Sequence, residues 1–220
     1  MKKTLISIIA STMLATGLMA SDDLNTTSAA PAVDVHTGWY VGLGFGSSSY
    51  SDMDMGKDFD NFSVEVDQGT DTGFKFYGGY KFNTIVGVEA SYVQYGTFTF
   101  KSADAATNNV STEIKPKSLN VAANLGYDFF NDQLRPYGLV GLGYVSFGQT
   151  GTPEVYSTDN GGAFVWGMGV EYTPKMFKGI GFRLSLDNTC PMVVQSYDNA
   201  DDKAYISPLR LFSAGVQYKF

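Results

Sequence analysis

The side chains able to do chemistry are few, and most of them are charged. The 220-residue chain has one His, His36, and one Cys, Cys190. Such a set cannot assemble a Cys/His metal centre or a zinc finger. Acid is concentrated in residues 47–71, where Asp52, Asp54, Asp58, Asp60, Glu65, Asp67 and Asp71 stand against Lys57. Asp52-x-Asp54 and Asp58-x-Asp60 have the alternate-acid spacing of a calcium loop, but the Gly and terminal Glu of an EF-hand are missing. A solvated acidic loop is the expectation, with loose divalent-cation binding as an extra. A second set of charges interrupts otherwise apolar segments: Lys75, Lys81, Arg183 and Lys219, with Glu89, Asp128, Glu171 and Asp187. Ion pairing is the chemistry open to that set, provided the chain turns these residues toward a common interior.

The elements that could do so are strands. From Gly38 onward the hydrophobic period is two. Trp39, Val41, Leu43 and Phe45 alternate with Tyr40, Gly42, Gly44 and Gly46. Phe74, Phe76, Tyr80 and Phe82 flank Lys75, Tyr77, Gly79 and Lys81, and Val86, Val88, Ala90 and Tyr92 flank Gly87, Glu89 and Ser91. Leu119 to Phe129 alternates with Ser118 to Asp128, and Val140, Leu142 and Tyr144 with Gly141 and Gly143. Phe164 to Tyr172, Ile180 to Leu186 and Phe212 to Phe220 complete eight strands, an even number.

The N-terminus reads as an export signal. Lys2 and Lys3 precede an apolar run from Thr4 to Gly17, with cleavage expected after Ala20. Residues 21–37 read as a short periplasmic leader, and residues 38–220 as one domain. Formal charge is −7, without the basic excess of a nucleic-acid binder. No later segment supplies the ~20 continuous apolar residues of a membrane helix, so the exported chain is either soluble or a membrane barrel. Cys190 stands alone and reads as a free thiol in a loop.

Connection lengths favour the membrane barrel. Short links (Asn83-Thr84, Phe130 to Leu134, Thr173 to Gly179) alternate with long polar ones near 47–71, 96–116, 148–161 and 188–207. Short turns at one end and long loops at the other are the layout of an outer-membrane barrel. A soluble ligand-carrying barrel would bury its apolar face instead. Here the polar face is narrow and glycine-rich. The apolar face carries Trp, Tyr and Phe toward the strand ends, where a membrane barrel has its interfacial girdles. The expected fold is all-β: an eight-stranded antiparallel up-and-down transmembrane β-barrel with short periplasmic turns and long extracellular loops.

Ser213-Ala214-Gly215-Val216-Gln217-Tyr218-Lys219-Phe220 resembles the C-terminal assembly signal of outer-membrane proteins, carried by Ser213, Gly215, Tyr218 and Phe220. LRPYGLVGLGY (Leu134 to Tyr144) resembles the Pro-Tyr-x-x-x-Gly-x-Gly strand of small OmpA-like and OmpX-like barrels. Val86 to Ala90 and Gly167 to Tyr172 are similar to their Gly-x-Glu strands. The resemblance covers residues 38–220. It implies the outer membrane of a Gram-negative cell, delivery by the barrel-assembly machinery, and contact with outer-membrane lipid and lipopolysaccharide. No peptidoglycan-binding domain is expected after Phe220. Lipid A hydrolases of this architecture work with a His at the outer rim; His36 precedes the first strand on the periplasmic side, so no enzymatic activity and no cofactor are expected.

An eight-stranded barrel is just wide enough for side chains to fill it, so opposite charges inside should pair. Glu89 and Arg183 lie at similar distances from the short-turn end and are expected to pair across the lumen, in a network with Lys75 and Asp187. Lys81, Asp128, Glu171 and Lys219 sit nearer the rim and are expected to stay hydrated. The lumen glycines either make room for Tyr40 and Tyr77 or leave a water-filled gap. Phe62, Val64 and Val66 alternate in the first loop, as do Phe98 and Phe100 in the second, so strands two and three are expected to project as a hairpin sheet able to add a partner's strand. The expected function is a structural or surface-interaction role carried by the loops, toward a host or envelope surface ligand. The alternative is a narrow channel for ions or small solutes.

Overall fold

The computed structural model describes residues 37–50, 64–67, 71–102, 111–150, 159–197, 200–206 and 208–220. The export signal, nearly all of the leader including His36, and Asp52 to Asp60 of the acidic loop lie outside the described residues. Thirteen strands are described: β1 (Gly38–Tyr50), β2 (Val64–Asp67), β3 (Asp71–Lys81), β4 (Val86–Gln94), β5 (Phe98–Ser102), β6 (Ser111–Ile114), β7 (Lys117–Gly126), β8 (Leu134–Ser146), β9 (Gln149–Thr150), β10 (Asn160–Tyr172), β11 (Ile180–Tyr197), β12 (Ala200–Ile206) and β13 (Leu209–Lys219).

Eight of these strands form the barrel. Neighbours run antiparallel in the order β1-β3-β4-β7-β8-β10-β11-β13, and β13 returns to β1 to close the ring. Register is set by the side-chain alternation, because a one-residue slip would turn the outward aromatics into the lumen. Trp39 and Leu119 face outward with 65% and 61% exposure. One girdle of outward aromatics lies at the short-turn end: Trp39 on Tyr80, Tyr127 on Phe129, and Tyr218 on Phe220, each with ring centroids 5.0 Å apart. Phe45, Phe74, Tyr92, Tyr144, Phe164, Trp166 and Phe212 lie toward the other end. Transmembrane strands need about 9–11 residues. β4 has 9 and β11 has 18, so β11 projects well beyond the bilayer.

Several boundaries depart from the sequence reading. The strand expected to run through Phe129 ends at Gly126. Phe130, Asn131 and Asp132 turn with positive φ, and only an isolated bridge joins Phe129 to Leu134. Residues 188–207, read as a loop, are mostly the upper half of β11 and its partner β12. Cys190 is therefore a strand residue, paired with Phe164 on β10, and its thiol is free.

The other outer strands make a separate four-stranded sheet, β2-β5-β6-β9, that crowns the long-connection end. It joins three loops rather than one hairpin: Val66 pairs with Phe100, and Glu113 with Thr150.

Candidate functional site

Glycine placement and strand register together build the lumen. Tyr40 stands opposite Gly79, Tyr77 opposite Gly42, and Tyr137 opposite Gly169. Each phenol ring lies across its glycine, where a Cβ would collide with it. The glycines thus make room for Tyr40 and Tyr77 in adjacent-strand pairs. Gly126 does the same for Arg135, whose Cζ lies 2.6 Å from where a Cβ would sit.

The middle of the lumen is organised by Glu89 on β4. Its carboxylate accepts from Arg183 Nη1 at 2.7 Å and Nη2 at 3.1 Å, from Tyr40 Oη at 2.9 Å and from Asn124 Nδ2 at 3.2 Å. Lys75 Nζ lies 3.3 Å from Glu89 and 2.9 Å from Asp187. Arg183 is sandwiched between Tyr77 and Tyr137, with Cζ 4.3 and 4.2 Å from the ring centroids, and its Nε donates to Tyr137 Oη. Asp187 also accepts from Ser185, which bonds Ser213 on β13. All four charged residues are buried. Charges so enclosed are tolerable only when paired and hydrogen-bonded.

Lys81 and Glu171, expected to be hydrated near the rim, are 7% and 2% exposed and bonded to each other. Tyr40 covers them, its ring centroid 5.5 Å from the Lys81 ammonium. Asp128 and Lys219 are only partly exposed. Arg135 escaped the sequence reading because the alternation was followed only from Val140. It donates to Asn124 at 2.8 Å and lies 3.7 Å from both Glu171 and Asp128. Its place two residues before Tyr137 on the inward phase of β8 was the signal.

Toward the crown the lumen becomes apolar. Val93, Tyr95, Phe98, Ile114, Val145, Phe147, Leu209 and Leu211 form one buried cluster, and Tyr95 Oη donates to Thr189 at 2.8 Å. The sequence reading missed this layer because it tracked inward charge. Among the described residues no cluster of His, Cys, Asp or Glu has the makings of a metal site.

The C-terminal strand is placed as follows. Ser213 faces the lumen, and Gly215 sits opposite Gly44 with Gly44 Cα 2.9 Å from where a Cβ would be. Tyr218 and Phe220 are turned outward, and the Phe220 N–H donates to Trp39 O at 2.9 Å.

The model of the outer membrane protein beta-barrel domain matches residues 18–220. The chain belongs to that family. It is therefore a protein of the cell outer membrane, embedded in the bilayer by the aromatic-girdled face. Among solved structures, OprG of Pseudomonas aeruginosa is similar over 84% of this chain and 97% of its own, at 15% identity and a TM-score of 0.59. AlkL, solved by solid-state NMR in DMPC bilayers, is similar over 91% of this chain and 97% of its own, at 16% identity and a TM-score of 0.54. At such identities the likeness is one of fold. No curated protein is a significant match.

Proposed function

We propose that this outer-membrane barrel acts at the cell surface through its crown, with a closed lumen serving as the rigid base. The observation that carries this reading is the double filling of the lumen. A bonded charge layer around Glu89 lies beneath an apolar layer around Leu209 and Leu211. A small barrel filled in this way offers no continuous water path. Among the described residues the crown sheet has β2 as an edge strand, and β12 is the free edge beyond β11 of the barrel sheet, each open to pairing with an extended segment of a surface protein.

A second reading, a narrow channel, is favoured by Lys75, which lies within bonding distance of both Glu89 and Asp187 and so has two carboxylates to alternate between. Two measurements on the full chain separate the readings. Refolded wild-type protein in a planar bilayer should give no single-channel steps. Cells displaying it should bind a partner-coated surface several-fold better than cells displaying Thr99→Pro, which breaks the crown at β5 between Asp67 and Glu113. Reproducible steps from wild type, with binding unaffected by Thr99→Pro, would give first place to the channel. Residues 1–20 as export signal, residues 21–37 as leader, and Ser213, Gly215, Tyr218 and Phe220 as the segment read by the assembly machinery belong to the same proposal.

A further inference from the structure

Among the described residues the outward face carries a buried polar group that the barrel itself does not use. Along β11 the residues Arg183, Ser185, Asp187 and Thr189 point into the lumen, where each makes the bonds described above. Asn188 is thereby turned outward, toward the lipid side. It is nevertheless only 2% exposed, and its Nδ2 has no hydrogen-bond partner among the described residues. A buried donor left unmade is costly, so its place beside a cation at the membrane interface calls for a reason.

Its neighbours supply one. In the register Asn188 stands between Arg210 on β13 and Trp166 on β10. Arg210 is exposed and outward, between Leu209 and Leu211, which are turned inward and fully buried. Among the described residues it has no ion-pair partner. Phe212, paired with Leu186, lies one outward step nearer the bilayer midplane. Arg210 and Asn188 thus sit level with Trp166 in the aromatic girdle at the long-loop end, the extracellular side in barrels of this layout.

We propose that Arg210 and Asn188, with the Trp166 indole beside them, form a binding site for a headgroup phosphate of an outer-leaflet glycolipid. A guanidinium presents parallel N–H donors that match phosphate oxygens, and a neutral amide adds a further donor without a competing charge. Arg210 is the exposed register partner of Asn188, so an anion on the guanidinium is held beside the residue whose Nδ2 is unused. Trp166 occupies the depth at which indoles anchor to the headgroup region, so the acyl chains of the same lipid run down over Phe212 and Met168, the next outward residues toward the midplane. The site differs from a general surface charge in having one cation and one buried donor at a single place on the ring.

Native mass spectrometry of the refolded full chain, titrated with bis-phosphorylated lipid A, tests this directly. Arg210→Ala should weaken the first lipid-binding step by about five-fold or more, Asn188→Leu by about two- to three-fold, and Arg210→Lys should fall between wild type and Arg210→Ala. Lipid A stripped of its phosphates should bind wild type and Arg210→Ala alike. Lys117 is an exposed cation on β7, four strands from β13 in either direction around the barrel, so Lys117→Ala should leave the step unchanged. The heat-dependent gel shift of a folded barrel checks that each variant has assembled. Equal binding by wild type and Arg210→Ala would overturn the proposal, as would an equal loss in Lys117→Ala. Displacement of the lipid by millimolar inorganic phosphate would overturn it too, since the site would then select a free anion and not a lipid.

Discussion

Glu89 and Arg183 meet across the full width of the barrel, from strands β4 and β11 that lie four places apart in an eight-strand ring. The two guanidinium nitrogens reach the carboxylate at 2.7 and 3.1 Å. Lys75 is also 3.3 Å from Glu89 but keeps Asp187 at 2.9 Å, so removing the carboxylate would leave buried Arg183 without its ion-pair partner and Lys75 with one carboxylate in place of two. Breaking a buried pair by deleting one partner typically costs about 3–5 kcal/mol. Glu89→Ala should therefore lower the unfolding free energy measured by urea titration of the refolded protein by an amount in that range, and Glu89→Gln by somewhat less. In Arg183→Met the further cost of Glu89→Ala should shrink by more than about 1 kcal/mol, the signature of a direct pair in a double-mutant cycle. Additive losses would mean that the two side chains stabilise the barrel independently.

The ring of Tyr77 fills the space over Gly42. A Cβ at position 42 would come within 2.5 Å of Tyr77 Oη and 2.7 Å of Cε2, and it would meet no other side chain or backbone first. The ring cannot retreat freely, because its face is held against the Arg183 guanidinium. Gly42→Ala should cost about 1–3 kcal/mol in denaturant unfolding, as overpacking does. In a Tyr77→Leu background the same substitution should cost markedly less. An undiminished cost there would trace the penalty to the backbone instead.

How much of this was legible beforehand depended on what each residue faces. The barrel strands have lipid on one side and lumen on the other, so Trp39 to Phe45 and Phe212 to Phe220 wrote their period into the sequence. The upper half of β11 and all of β12 lie outside the lipid. Neither face there must be apolar, and the alternation that marks a strand fades where Cys190-Pro191 begins. The pairing of Lys81 with Glu171 was hidden for another reason. Closeness to a turn does not by itself expose a side chain, and Tyr40 reaches down from β1 to cover both groups. Arg135 lies five residues before Val140, where the alternation of β8 becomes legible, so the pattern did not mark its inward phase. The apolar layer needed three dimensions, since Val93, Val145 and Leu211 come from three separate strands and only the ring brings them together.

Asp71 fastens the outer end of β3 to the chain that leads into the crown. Its carboxylate accepts the Thr97 N–H at 2.6 Å and the Thr72 N–H at 2.7 Å. These donors, Thr97 foremost, hold the acid below the ordinary aspartate value of 3.8. A carboxylate depressed on folding contributes stability above its unfolded pKa and loses it as pH falls through the folded one. The Thr97 amide resonance should therefore stay put near neutrality and shift on acidification with a midpoint below 3.8. In Asp71→Asn that titration should vanish, while proteolytic cutting between residues 96 and 116 speeds up several-fold at neutral pH. A Thr97 amide unmoved between about pH 5 and pH 2 would rule out the tie.

The stacked layers of the lumen also make a prediction about conductance. Opening the charge layer alone leaves Leu209, Leu211 and Val145 closed above it, all fully buried. A constriction of that kind excludes water even when the layer beneath is hydrated. Glu89→Ala alone should therefore give no single-channel steps in a planar bilayer. Leu209→Ser with Leu211→Ser should likewise be silent, because the Glu89, Arg183 and Lys75 side chains still fill the next level down. Only the triple variant should yield small, reproducible steps, and its current should fall when Val145→Phe restores bulk to the upper layer. Steps from Glu89→Ala by itself would show that the apolar cluster does not seal the barrel. The charge pair would then be the sole barrier, and the channel reading would gain the support that the filled lumen now denies it.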